Sequence, residues 1–159
     1  MKVKRRILMD VWRMINRQRG QIHGIKFSYF LAKNRRRLQP EIEALEEIIK
    51  TPLKYQEYDT ERAKTARSFA DTDSEGNPII NQSNYVITEK LTEFNEALNK
   101  LKEKYKEHID ARQRQIKEYD EMLEEEIEFD GYKITLSELP EKIDAESIEI
   151  LMDSGLLAE

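Results

Sequence analysis

The segment Leu91–Leu123 constrains the fold most, because its apolar residues recur at steps of three and four. These apolar residues are Leu91, Phe94, Leu98, Leu101, Tyr105, Ile109, Ile116, Tyr119 and Leu123. Nearly all residues between them are polar or charged, and no Pro or Gly interrupts the segment. The spacing predicts one long amphipathic helix of about 50 Å. A helix with a single apolar face needs a partner that covers this face.

A second amphipathic segment, Phe27–Ile49, offers that partner. Its apolar positions are Phe27, Phe30, Leu31, Leu38, Ile42, Leu45, Ile48 and Ile49. The two segments predict an antiparallel, coiled-coil-like hairpin of long helices, with its turn near residues 71–87. Gly76 and the Asn77–Pro78 pair supply turn residues there.

The remaining segments predict smaller elements around this hairpin. Lys4–Arg17 is expected to form a short N-terminal helix, and Ala145–Asp153 a short C-terminal helix after the capping residue Asp144. Alternating apolar residues around Asp130–Gly131 predict a β-hairpin near residues 127–136. The fold class is therefore mainly α.

We expect one domain over residues 1–159, with three segments along the chain. Residues 1–24 would form a basic helix and loop, residues 25–126 the helical hairpin, and residues 127–159 the β-hairpin with the last short helix. Charged residues make up 37% of the chain, which suits a thin helical architecture with much surface. The chain has no Cys and no apolar run of membrane-spanning length, so we expect an intracellular protein without a membrane association.

The charge is distributed very unevenly along the chain. Residues 1–40 contain twelve Lys and Arg and a single acid, Asp10, whereas the remainder contains fifteen bases and thirty-one acids. A basic segment of this kind is a candidate site for an anionic partner. The candidate residues are Arg13, Arg17, Arg19, Lys33, Arg35, Arg36 and Arg37.

A pairing within the chain is the favoured interpretation of this basic segment. The predicted hairpin register would set Arg35–Arg37 opposite the acidic stretch Glu118–Glu126. That stretch ends the long helix, where the helix dipole favours cations. The alternative is that the arginines contact phosphates of a nucleic acid.

No catalytic, cofactor or metal motif emerges from the residues. His23 and His108 lack a second ligand at zinc spacing, and the five glycines are scattered. The segment Asp71–Gly76 is similar to the start of a calcium loop, but Gln82 stands where the bidentate Glu is needed. We expect a protein that is not an enzyme and has no cofactor.

Several stretches, in this order, resemble a family of small uncharacterised helical proteins of tailed bacteriophages and Gram-positive prophages. The stretches are Lys26–Tyr29 with Lys33–Asn34, then Asp73–Ile79 with Tyr85–Ile87, and then Glu126–Glu128, Tyr132–Ile134 and Leu136–Pro140. The resemblance implies a phage origin and brings no catalytic residues.

These observations lead to one expected function and two alternatives. We expect a non-enzymatic phage protein that acts as a protein–protein interaction module in virion structure or assembly, in the host cytoplasm or the virion. Its partner would be a phage structural protein, a host protein or a second copy of the chain. The first alternative is an inhibitor of a host defence or replication protein, and the second is a nucleic-acid-binding accessory protein that uses the basic third.

Overall fold

The computed structural model describes residues 1–158 and is mainly helical, which confirms the predicted fold class. The α-helices of this range are α1 (Arg5–Gln18), α2 (Ile25–Ile48), α3 (Leu53–Phe69), α4 (Leu91–Lys104), α5 (Lys106–Glu124) and α6 (Ala145–Asp153). The short strands are β1 (Lys2–Lys4), β2 (Ile80–Asn81), β3 (Asn84–Tyr85), β4 (Glu126–Glu128), β5 (Ile134–Thr135) and β6 (Leu157–Ala158).

The chain forms two compact units. The first contains Met1–Ile49 together with the chain from Lys117 onward, and the second contains Lys50–Ile116. Helix α5 contributes residues to both units. The expectation of one domain concerns the two units together and stays a prediction.

The core of the first unit lies between α1, α2 and α6. Leu8, Val11, Met14 and Ile15 on α1 are completely buried, because their spacing places them on one helix face. They share one apolar cluster with residues of α2 and with Leu151 of α6. The α2 members of the cluster are Phe27, Phe30, Leu31, Leu38 and Ile42.

The predicted hairpin of two long helices is not confirmed. Helix α2 packs against α1, and the segment Leu91–Leu123 is divided at Tyr105, where α4 ends with a residue of φ −109° and ψ 13°. Each helix packs against a neighbour nearer in sequence than the predicted partner. A contact between neighbouring elements closes a shorter loop, which costs less chain entropy.

The predicted β-hairpin over residues 127–136 is wrong. Strand β4 pairs in antiparallel fashion with β1, with Val3 opposite Ile127, and β5 pairs in parallel with β6, with Ile134 opposite Leu157. The turn at Asp130–Gly131 carries a typical hairpin sequence, but it joins two strands that belong to different pairs. These pairings place residues from both ends of the chain in the first unit.

The second unit is an antiparallel pair of helices, α3 and α4, with a β-hairpin between them. Ring contacts fix the direction, since Tyr58 lies 5.7 Å from Tyr105 and Phe69 lies 6.1 Å from Phe94. The hairpin pairs Ile80 with Tyr85. Its two turn residues have φ values of 46° and 68°, which is typical of a tight two-residue turn.

Over residues 1–158, no helix combines the length and the apolar character that crossing a bilayer demands.

Candidate interaction surface

The first cations of the chain neutralise the acidic end of α5. Arg5 Nε lies 2.6 Å from Glu41 Oε1 and Arg5 Nη1 lies 2.5 Å from Glu125 Oε2. Arg6 Nε lies 2.5 Å from Glu124 Oε1. The pKa of Glu124 is held below its usual value mainly by the hydrogen bond from Arg6 and to a smaller extent by the one from Lys4. These cations lie beside the last carbonyl groups of a helix, where positive charge is favourable.

The predicted pairing of Arg35–Arg37 with the acidic stretch Glu118–Glu126 is therefore wrong. The register of β1 with β4 places Lys4 opposite Glu126, so the residues that follow β1 come beside the end of α5. The sequence did not reveal this register, because strands of three residues carry little periodic signal.

Two of the predicted binding residues, Arg13 and Arg17, are also engaged within the protein. Arg13 lies 2.9 Å from Asp10, one helical turn away. Arg17 lies 2.7 Å from Glu146 and 3.3 Å from Asp144. These pairs leave the two arginines less available to an external anion.

Asp144 is the centre of a polar cluster between α1 and α6. Its carboxylate caps α6 by accepting the backbone N–H of Ser147 at 2.8 Å, and it also accepts the buried amide of Gln18 at 3.0 Å. The backbone N–H of Ser147 is the main reason that the pKa of Asp144 is lowered. The cluster fixes the start of α6 and is structural.

Arg35 and Arg37 lie on the two flanks of α2. Arg37 donates to the backbone carbonyl of Asp130, and its guanidinium lies 3.4 Å from the carboxylate of the same residue. Arg35 lies over the ring of Trp12, 5.2 Å from its centroid, and its buried Nε has no hydrogen-bond partner. Within residues 1–158, no acid lies within 4.0 Å of the Arg35 side chain.

The remaining predicted cations, Arg19, Lys33 and Arg36, likewise form no ion pair in the part of the chain that the structure describes. Arg36 lies at the centre of the solvent-exposed side of α2, because it is directly opposite the buried Phe27 on the helix. Lys33 lies on one flank of this side. Arg19 is on the other flank, where it shares a shallow cleft with Ala32.

We define the outer face of α2 as Ile25, Tyr29, Ala32 and Arg36. These residues recur at steps of three and four, and all four are exposed. Ile25 is 89% exposed and Tyr29 is 51% exposed, and Ile22, just before the helix, is fully exposed. The chain contains no acid between residues 11 and 40, so the outer face has no negative charge of its own.

Tyr29 is the aromatic residue of this face, and it does not belong to the core. Aromatic residues at helical spacing predict a core, which is confirmed for the buried Phe27 and Phe30. Tyr29 points away from the core, contacts Tyr132 edge-to-face at 5.3 Å and lies 5.9 Å from Lys33 Nζ. Its position two residues from Phe27 and one from Phe30 already excludes it from their face of the helix.

The acidic turn Asp71–Gly76 uses its carboxylates for backbone contacts. Asp71 accepts the backbone N–H of Thr88 at 3.0 Å and its hydroxyl at 2.5 Å, and Asp73 accepts the backbone N–H groups of Glu75 and Asn77. Hydrogen bonds from Thr88 hold the pKa of Asp71 below its usual value. Across residues 1–158, no group of three or more potential ligands is arranged to hold a metal ion.

Comparisons with known proteins give no relative. No protein-family model matches the sequence, no curated protein is significantly similar to it, and no solved structure matches the fold. The function is therefore inferred from the chain's own residues.

Proposed function

We propose that this chain is a non-enzymatic bacteriophage protein that acts as a protein–protein interaction module in virion structure or assembly. The outer face of α2 is the interaction surface in this proposal. The observation that carries it is the exposure of aliphatic and cationic side chains together on one side of α2, which contains no acid between Ile25 and Arg36. The phage assignment rests on the resemblance described for the sequence.

The outer face is not needed for the core of its own unit. Helix α2 buries its opposite side through Phe27, Phe30 and Leu38, so Ile25 and Tyr29 contribute little apolar burial to the fold. Burying apolar surface is worth about 25 cal/mol per Å². A partner that covers Ile22, Ile25 and Tyr29 would gain this energy on binding, which supports a docking role.

The test is whether the chain enters virions of the phage that encodes it. Particles are purified until host proteins are absent, and the chain is quantified by mass spectrometry. We expect incorporation of the wild-type chain, strongly reduced incorporation of Arg36→Glu, and normal incorporation of Lys100→Glu. The control reverses one charge at an exposed position of α4, which belongs to the second unit.

Absence of the wild-type chain from purified particles would overturn the virion role and favour an inhibitor of a host protein. Equal incorporation of Arg36→Glu and wild type would overturn the assignment of the outer face. Both variants are checked for a wild-type circular dichroism spectrum, so that a folding defect is not mistaken for a docking defect.

A further inference from the structure

We infer that the outer face of α2 binds an acidic amphipathic helix of another protein. This inference rests on the proposed function and specifies the chemistry of the partner. Three properties of the face support it: its shape along the helix, the order of its apolar and basic groups, and the small number of unpaired cations.

The face is a straight stripe along one helix. From Ile25 to Arg36 it extends about 16 Å, or three helical turns. Ala32, in the middle of the stripe, is exposed and has a small side chain, so a second helix can approach closely. A helix laid along α2 would cover all four residues of the stripe at once.

The stripe has an apolar end and a basic end. Ile25 begins α2 and Ile22 lies just before it, whereas Lys33 and Arg36 lie two to three turns after Ile25. The first acids on α2 are Glu41, which binds Arg5, and Glu43, which lies two turns beyond Arg36 on the same side of the helix. Within residues 1–158, neither lies within 4.0 Å of Arg36. A matching partner carries aliphatic side chains opposite the isoleucines and Glu or Asp side chains opposite the cations.

A nucleic acid fits this surface poorly. Phosphates offer no apolar group for Ile22 and Ile25, and one edge of the exposed Tyr29 already contacts Tyr132. Among residues 1–158, the cations on or beside the face that have no acid within 4.0 Å are Arg19, Lys33, Arg35 and Arg36. If these four cations contacted phosphates, the affinity for a nucleic acid would fall at most about 150-fold between 50 and 200 mM salt. Proteins that make six to ten phosphate contacts lose about a thousandfold or more over this range, so the electrostatic contribution here would be small.

A second copy of the chain also fits poorly. Two outer faces packed in parallel would bring Lys33 and Arg36 of both copies together, and like charges at an interface are unfavourable. Packed antiparallel, they would set Arg36 of each copy opposite the apolar Ile25 of the other, which gives neither arginine an acidic partner. The acidic end of α5 is occupied in its own chain, where Glu124 binds Lys4 and Arg6 and Glu125 binds Arg5. A different protein is therefore the occupant that the charges favour.

The experiment measures binding of the full chain to a fluorescein-labelled helical peptide of about three heptads, with Leu on one side and Glu along its flanks. A matched peptide has every Glu replaced by Gln, and a duplex DNA of random sequence is the third probe. We expect saturable binding of the Glu peptide at physiological salt, and binding about tenfold weaker for Arg36→Glu, because repulsion replaces attraction. Ile25→Ser should also weaken it, whereas Met152→Ser, at an exposed position of α6, should not.

Equal affinity for the Glu and Gln peptides would overturn the inference, as would no binding of either peptide. Tighter binding of duplex DNA than of the Glu peptide would overturn it in favour of a nucleic acid. The proposed function is tested separately, by incorporation into virions that depends on Arg36. If this incorporation is observed, any of the results above would reject only the acidic helix as the partner. The two proposals therefore fail separately.

Discussion

The side-chain amide of Asn34 forms two hydrogen bonds with the backbone of Tyr132, as a neighbouring strand would. Asn34 Nδ2 donates to the Tyr132 carbonyl at 2.8 Å, and Asn34 Oδ1 accepts the Tyr132 N–H at 2.8 Å. Asn34 is completely buried on α2, among apolar residues. The contact explains why residues 127–136 form no hairpin, because backbone groups that a partner strand would use are bonded to a helix side chain.

Asn34→Ala should destabilise the first unit by about 1–3 kcal/mol, since it removes a buried side chain and leaves the partly buried Tyr132 N–H and carbonyl without their partners. The measurement is the free energy of unfolding from urea titration. The control is Gln39→Ala, which removes a partly exposed amide on the same helix. Its side chain donates to the exposed Glu43, so the change should be less than about 0.5 kcal/mol. Equal effects of the two substitutions would show that the Asn34 contact contributes little.

Stability should fall in acid, because several carboxylates have a lowered pKa in the folded protein. They are Glu61, Asp71, Asp73, Glu124, Glu138 and Asp144. A carboxylate with a folded pKa below its unfolded value stabilises the protein above the unfolded pKa, and this stability is lost as pH falls through the folded pKa. We expect a constant free energy of unfolding from pH 7 to about 5.5 and a decline below about pH 4.5. Equal stability at pH 7 and pH 3 would contradict these pKa directions.

Tyr105 should ionise at higher pH than an ordinary tyrosine. Its hydroxyl donates to Glu61 Oε1 at 2.6 Å, and this hydrogen bond raises the pKa of Tyr105. Glu61→Gln should therefore lower that pKa, since it removes the carboxylate that disfavours the phenolate. The measurement is an ultraviolet absorbance titration of the tyrosines, in which Tyr105→Phe identifies the signal of Tyr105. A higher pKa of Tyr105 in Glu61→Gln than in wild type would be inconsistent with this contact.

The outer face of α2 should be separable from the fold. Ile25→Ser and Arg36→Ser should change the free energy of unfolding by less than about 0.5 kcal/mol, because both side chains are exposed. Phe30→Ala, on the buried side of the same helix, should cost about 3–5 kcal/mol. A large loss of stability for Ile25→Ser would mean that this isoleucine serves the fold and not a partner.

The sequence predicted those elements that depend on local signals. Helix α6 begins after its capping residue Asp144, as predicted, and Gly155 follows it with a φ of 65°, the left-handed conformation that glycine adopts most readily. The pairing of β1 with β4 joins residues more than 120 positions apart, and such pairings leave little trace in a single sequence. The break at Tyr105 was also missed, because the apolar spacing continues across it.

The candidate surface was predicted only in part, for a related reason. The excess of cations in residues 1–40 is visible in the sequence, but the pairing of each cation depends on the tertiary structure. Arg5 and Arg6 are paired because β1 lies beside β4, whereas Arg36 has no acid within 4.0 Å among residues 1–158. Ile25 is exposed because it lies on the side of α2 opposite the buried Phe27, a position that helix geometry already indicates.

The most direct measurement is photo-crosslinking from the outer face in phage-infected cells. A benzophenone amino acid replaces Ile25 in one strain and Met152 in another, since both side chains are exposed in the first unit. The account predicts a crosslink from position 25 to a phage structural protein, present also in purified virions and lost when Arg36→Glu is added. No crosslink from position 25, or equal yields from positions 25 and 152, would contradict the claim that the outer face of α2 is the docking surface.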